Sequence, residues 1–290
     1  MLWKGILMAL TITTNLQSLM VQKNLTSATN ALNTAMEQMT TGYKINHAGD
    51  NAAGFSIANN WVTKLGSIDI ATDNAAMGSD LLTTAEENYD LITSHLQRVR
   101  DLTEQAANGT YGSSSMNAII AEINSRLEEI TRISKNAEYN GISLMKEDPT
   151  AINLQVGIEN SPNSVITLAA SLFDKATATA LLGIASIDKY TEGWTTPGTD
   201  IASKLTVVDT AINNVSTRVT NIGASQNRVS SATSALSVQN QNITSSLSTI
   251  RDTDVAAVSS QYIQAQILQQ ASATLLATAN QSPSVALNLI

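Results

Sequence analysis

The sequence predicts a mainly α-helical fold: a coiled-coil bundle of long helices forming an elongated rod, its N- and C-terminal helices paired, with one small β-hairpin. Three observations predict it. Residues 255–290 contain no Asp, Glu, Lys or Arg, yet apolar or small residues recur at Val255, Val258, Tyr262, Ala265, Leu268, Leu275 and Ala279, with Gln, Ser, Thr and Asn between them. That is helical periodicity without a charged solvent face. Several further segments repeat apolar residues at spacings of four and three, the heptad pattern of packed helices. Finally, 4% aromatic content and 4 Pro favour long helices over a compact α/β core.

The uncharged C-terminal stretch also sets limits. A membrane span needs about 20 predominantly apolar residues. Here Gln264, Gln266, Gln269, Gln270 and Ser272 interrupt every window, so membrane insertion is not expected. A polar helix without charge cannot bury its apolar stripe alone, so it needs partner helices. A formal charge of -8, with 16 basic residues thinly spread, disfavours nucleic acid, which requires a concentrated Lys/Arg face to displace counterions. The absence of Cys excludes disulfides and thiolate chemistry, and suits a protein that crosses compartments or works outside the cell.

Taken in order, residues 1–10 are apolar with one Lys but lack an apolar core followed by a small-residue cleavage site, so they are not read as a Sec signal. Met8 is as good an initiator as Met1, which makes residues 1–8 a candidate non-native extension. From Val21 a seam runs through Leu25, Ala28, Leu32, Ala35 and Met39, with only Lys23 and Glu37 charged between Gly5 and Lys44. Both chain ends therefore share one character and are expected to pack on each other. Residues 40–54 break the period. Gly42 is the expected C-cap and Asp50 the expected N-cap of the next helix.

That helix carries Ile57, Trp61, Leu65, Ile68, Thr72, Ala75, Leu82, Ala85, Tyr89, Ile92, Leu96 and Val99, and Asn108 with Gly109 ends it. Ser113, Ser114 or Ser115 is expected to cap a third helix bearing Ile119, Ile123, Leu127 and Ile130, which Asn140 and Gly141 should stop. Ile152, Leu154 and Val156, then Ile166 and Leu168 across a turn with Pro162, alternate as a β-hairpin near 151–169, the one strand pair expected. Residues 191–199 read as a loop. Leu205, Val208, Ile212, Val215, Val219 and Ile222 then restart a heptad. Val229, Leu236, Ile243 and Ile250 keep one seam position beyond it, while Gln226, Thr233 and Asn240 make the other polar and should fix register.

No catalytic, cofactor or metal site is expected. His47 and His95 lie far apart, and no phosphate-loop, dinucleotide or HExxH pattern is present. Acidic pairs such as Asp101 with Glu104, and Glu86 with Glu87, read as solvated helix faces, and His95 reads as a packing residue.

Four stretches carry a family likeness: NHAGDNAAGFSIAN at 46–59, LQRVRDLTEQAANGT at 96–110, AEYNGISLM at 137–145 and QILQQASATLLATANQSP at 266–283. Together they resemble bacterial flagellin, over nearly the whole chain from Ala9, in a minimal form without variable outer domains. The resemblance implies an inner-tube coiled-coil domain from residues 9–45 and 250–290, and an outer-tube helical domain from residues 46–249. It implies self-assembly into a helical filament for motility, with Leu25, Leu32, Leu268 and Leu275 as assembly residues. Like chains joined head to tail by a rotation that does not close grow as an open helix. Further implied partners are the flagellar export chaperone and export apparatus, the filament cap and the hook-junction proteins. The implied location is extracellular, in the flagellum, after type III export. Arg98, Leu102 and Glu122 match the family positions that contact Toll-like receptor 5, while Thr103 and Glu104 replace small or apolar residues and should weaken recognition. Two other readings stay open: a hook–filament junction protein sharing the end helices, and a secreted enzyme on a flagellin scaffold, for which neither the length nor a motif is present.

Overall fold

The computed structural model describes residues 14–194 and 199–287. The reading of residues 1–8, and the turn expected at Pro197 and Gly198, lie outside the described residues. The chain divides into two compact units, one from residues up to 63 together with those from 242, the other from residues 64–241.

The first unit contains α1 (Leu16–Thr41), the start of α2 (Ala52–Ala107), the end of α6 (Thr199–Arg251) and α7 (Val255–Leu287). Asn15 caps α1 by accepting from the Ser18 amide at 3.1 Å, and Gly42 ends it in the left-handed region as expected. α1 and α7 pair along an antiparallel seam. Asn15 Nδ2 donates to the Ala279 carbonyl at 2.8 Å, and Gln269 Nε2 donates to Thr29 Oγ1 at 3.2 Å. Ala28 and Ala35 are buried on one side, and Val258, Ala265 and Ser272 on the other. The seam of α7 thus continues through Gln269, Ser272 and Leu276, which corrects the sequence reading: Leu268 and Leu275 point away from α1 and stay exposed. Small residues opposite Ala28 and Ala35 let the two backbones approach closely, and a leucine there would hold them apart.

The connector at 42–54 carries a second correction. Asn51, not Asp50, caps α2, its Oδ1 accepting from the Gly54 amide at 2.9 Å. Asp50 instead folds the loop, its Oδ2 accepting from the amides of Asn46 at 3.0 Å and His47 at 2.9 Å. The loop is clasped to the α6–α7 junction. The Lys44 amide donates to the Arg251 carbonyl at 2.8 Å, the Thr253 amide to the Gly42 carbonyl at 2.9 Å, and the Arg251 guanidinium sits 4.1 Å from the Tyr43 ring centroid.

The second unit packs α2, α3 (Ser113–Asn136) and α6 around one core. Leu82, Tyr89, Ile92, Leu96 and Val99 of α2 meet Ile123, Leu127 and Ile130 of α3 and Val208, Val215 and Ile222 of α6, all fully buried. The polar seam positions behave as register pins at two places. Gln226 Nε2 donates to Glu86 Oε2 at 2.7 Å and Asn240 Nδ2 to Asp69 Oδ1 at 3.2 Å, so α6 runs antiparallel to α2. Thr233 bonds back to its own helix at Val229.

Three local expectations need correction here. Gly112 holds the N-cap position of α3, and no Ser113–Ser115 side chain caps it. Asn140 and Gly141 do not stop α3, which ends at Asn136. They turn a second, short hairpin between β1 (Glu138–Tyr139) and β2 (Ile142–Ser143). Their φ angles of 48° and 80° are the paired positive values of a two-residue hairpin turn, the conformation that Asn-Gly favours. The expected hairpin joins β3 (Ile152–Gln155) to β4 (Val165–Leu168), with Ile152 opposite Leu168. It lies so close to α2 that a Cβ on Gly78 would clash with the Leu154 side chain. Two short helices, α4 (Ala178–Leu182) and α5 (Asp188–Thr191), lie where the sequence shows no periodicity.

Candidate assembly and recognition surfaces

The first surface belongs to α1 and α7. Leu25 and Leu32 of α1 are half-buried. Leu268 and Leu275 lie on the outward side of α7, the latter 57% exposed, with Ile263 and Ile267 also exposed. On α1, Leu16, Leu19 and Met20 are exposed likewise. A shallow groove of about 310 Å³ between Gln17, Met20, Val21, Leu275, Thr278 and Ala279 joins the two outward faces. Lys23 and Glu37 are the only charged residues of α1, and α7 has none. The surface is therefore apolar and hydrogen-bonding with almost no charge, suited to packing against helices of the same kind.

The second surface is a ladder of charges between α2 and α3. Arg98 Nε donates to Glu122 Oε1 at 2.9 Å, and Arg126 Nη2 approaches the same oxygen at 3.7 Å. Arg126 Nη1 lies 3.5 Å from His95 Nδ1, and Glu129 accepts from Arg132 Nε at 2.8 Å. The hydrogen bond from Arg98 holds the Glu122 carboxyl below its usual range, and the same bond raises Arg98. Partial burial, then the neighbouring Arg126 charge, lowers His95. His95, Glu122, Arg126 and Glu129 line an open groove of about 410 Å³ together with Ala121 and Ser125. Arg100 is tied separately, its Nε donating to Asp209 Oδ1 at 2.7 Å.

The structure brings Arg98 and Glu122 together on this surface and removes Leu102 from it. Leu102 is 2% exposed, buried in the helical core, and so corrects the expectation that it touches a partner. Thr103 is fully buried as well. Its hydroxyl bonds the Val99 carbonyl at 2.7 Å and the Tyr190 hydroxyl at 2.9 Å, so it leaves the surface unchanged, and of the two replacements only Glu104 is exposed. Tyr190 of α5 is pushed up to about 12 by burial and packs against Trp194, the rings tilted by 52° with 5.4 Å between centroids. The sequence reading missed this pair. Its only signal was two aromatics close together in a chain poor in them.

Among the described residues, no three His, Cys, Asp or Glu gather into a metal-binding group, and no helix is long and apolar enough to cross a membrane.

Comparison with known proteins identifies the family. The family model of the bacterial flagellin N-terminal helical region matches residues 12–150, and that of the C-terminal helical region matches residues 205–290. The flagellin of Listeria monocytogenes is 30% identical over 285 residues, covering 96% of this chain and 99% of that protein. The flagellin of Salmonella muenchen is 40% identical over 161 residues, covering 56% of this chain and only 32% of that longer protein. A solved structure from Vibrio parahaemolyticus, described as a flagellar hook-associated protein, shares the fold with a TM-score of 0.56 at 16% identity, covering 69% of this chain and 99% of that one. With both helical regions matched and a full-length relative among the flagellins, this chain belongs to the bacterial flagellin family and is a structural subunit of the flagellar filament.

Proposed function

We propose that residues 9–45 and 250–290 form the inner tube of the filament and residues 46–249 its outer tube, with Leu268 and Leu275 meeting neighbouring copies while Leu25 and Leu32 hold α1 to α7. The observation that carries this is the outward side of the α1–α7 pair, which exposes large apolar residues without charge. In water such a surface is costly, and burying it gains about 25 cal/mol per Å². Repeated along an open helix, the same contact stabilises every subunit. The test is deletion of residues 255–290. The shortened chain stays helical by circular dichroism but forms no tubes in electron microscopy when seeded with sheared filaments. Normal polymerisation of the shortened chain would refute the assignment.

The subunit reaches the cell exterior through the flagellar export apparatus, accompanied by an export chaperone, and meets the filament cap and hook-junction proteins at the growing structure. The charge-free α7 favours this route, since an unassembled apolar stripe needs covering before export. For Toll-like receptor 5 the reading narrows to Arg98 and Glu122. An exposed guanidinium with fixed donors is a common binding anchor. Arg98→Ala is expected to weaken receptor binding roughly tenfold, an effect of about 1.4 kcal/mol, while leaving the helix content unchanged. Unchanged affinity in a surface binding assay would refute the receptor role.

A further inference from the structure

A second heptad runs along α2 on the side away from its core. Ile70, Met77 and Leu91 are 63%, 53% and 54% exposed, with half-buried Thr84 completing the same row. Between them, at spacings of three and four, stand Asp73, Asp80 and Glu87, all exposed and without an ion-pair partner among the described residues. α6 presents the complement. Arg228, Ser231, Ala235 and Val238 follow the same spacing on an exposed face, and Arg228 also has no ion-pair partner among the described residues. The charge division extends further. Residues 66–97 hold six acids and no Lys or Arg, whereas residues 210–250 hold Arg218 and Arg228 and no acid.

We propose that this face of α2 docks on the exposed face of α6 in a second copy of the chain, antiparallel, with Arg228 against Asp80. The proposal rests on the filament reading and adds a contact between residues 64–241 of neighbouring copies. Within the chain α6 already runs antiparallel to α2. Copies stacked in one orientation keep that sense between neighbours. In this register Ser231 lies beside Met77, a small residue receiving a large one. About 15 Å from the Arg228–Asp80 pair, ten residues at helical rise, Val238 meets Ile70. Each copy offers both faces, so the contact is heterologous and repeats without closing. The Arg228–Asp80 pair sets the register by charge, while Asp73 and Glu87 stand opposite the uncharged Ala235 and Asn221.

The chain has no Cys, so Met77→Cys with Ser231→Cys introduces the only two thiols. Mild oxidation of seeded filaments of this variant is expected to give a ladder of covalent oligomers on a denaturing gel, and oxidation of dilute monomer none. Asp80→Arg and Arg228→Asp should each raise the critical concentration for seeded assembly about tenfold, and the two variants mixed, or joined in one chain, should restore it to within about twofold. Both positions are exposed on helices, and circular dichroism checks that the variants fold. Well-formed filaments with no ladder, in which the thiol introduced at Met77 still reacts with maleimide, would overturn the proposal and leave that face to a different partner. Single charge variants that assemble as the parent does would also overturn it. Parent monomer that forms no tubes on seeds would refute the filament reading itself, a separate outcome.

Discussion

At Asp50 one carboxylate does the work of secondary structure, gathering the Asn46 and His47 amides into a turn. Those two bonds, His47 first, lower its pKa below the ordinary 3.8. Because the folded value is depressed, the stabilisation is fully present above the unfolded value and is lost as pH falls through the lower, folded one. Amide exchange at Asn46 and His47, corrected for its intrinsic pH dependence, should therefore accelerate as pH drops below 3.8, and Asp50→Asn should remove that acceleration. A variant that keeps the same pH dependence would assign the turn to another group. Leu102 makes the opposite point at the same scale. Its position matches a contact site, yet its side chain is packed in the core, so its substitution acts on stability, unlike that of Arg98.

Among the elements, the α1–α7 pair depends on small residues. Ala28 and Ala35 of α1, and Val258, Ala265 and Ser272 of α7, are the residues this pairing buries among the described residues. Ala265→Leu forces a larger side chain into that seam and should destabilise the pair by about 1–3 kcal/mol, seen as a lower urea midpoint for helix loss. Leu268→Ala, one turn away and half exposed, should change monomer stability by no more than about 0.5 kcal/mol. It should nonetheless weaken seeded assembly, because its side chain is free for a neighbouring copy. If Leu268→Ala costs the monomer as much as Ala265→Leu, the seam is misassigned. The two substitutions thus separate folding of the pair from its use in the filament.

For the molecule as a whole, burial is unevenly divided. Among the described residues, only Ala28 and Ala35 of α1, and Val258, Ala265 and Ser272 of α7, are buried, whereas residues 64–241 enclose a continuous core that includes Leu82, Tyr89, Ile92 and Leu96. Elements that bury little apolar surface open at low free energy. Limited proteolysis of the monomer should therefore cut within residues 14–45 and 250–287 first and leave a fragment near residues 54–243. On the proposed inner-tube assignment, the same sites should resist in the filament. A full-length monomer that resists the protease would show that the ends are ordered without assembly.

The long helices, the Gly42 cap, the hairpin at 152–168 and the charge-free ends were legible in the sequence alone, because each rests on local periodicity or on a residue's own backbone preference. Charge patterning also sufficed to say that the ends need partner helices. What it could not choose was the stripe. Apolar content points to Leu268 and Leu275, but α7 turns Gln269, Ser272 and Leu276 inward, since Ala28 and Ala35 across the seam set the approach distance and Thr29 offers Gln269 a hydrogen bond. The burial of Leu102 and the Thr103–Tyr190 contact were hidden for a related reason: each depends on a side chain brought from a distant part of the chain. Helical period is written into neighbouring residues, whereas the face that is buried is decided only when a partner helix arrives with its own side-chain sizes and hydrogen-bonding groups.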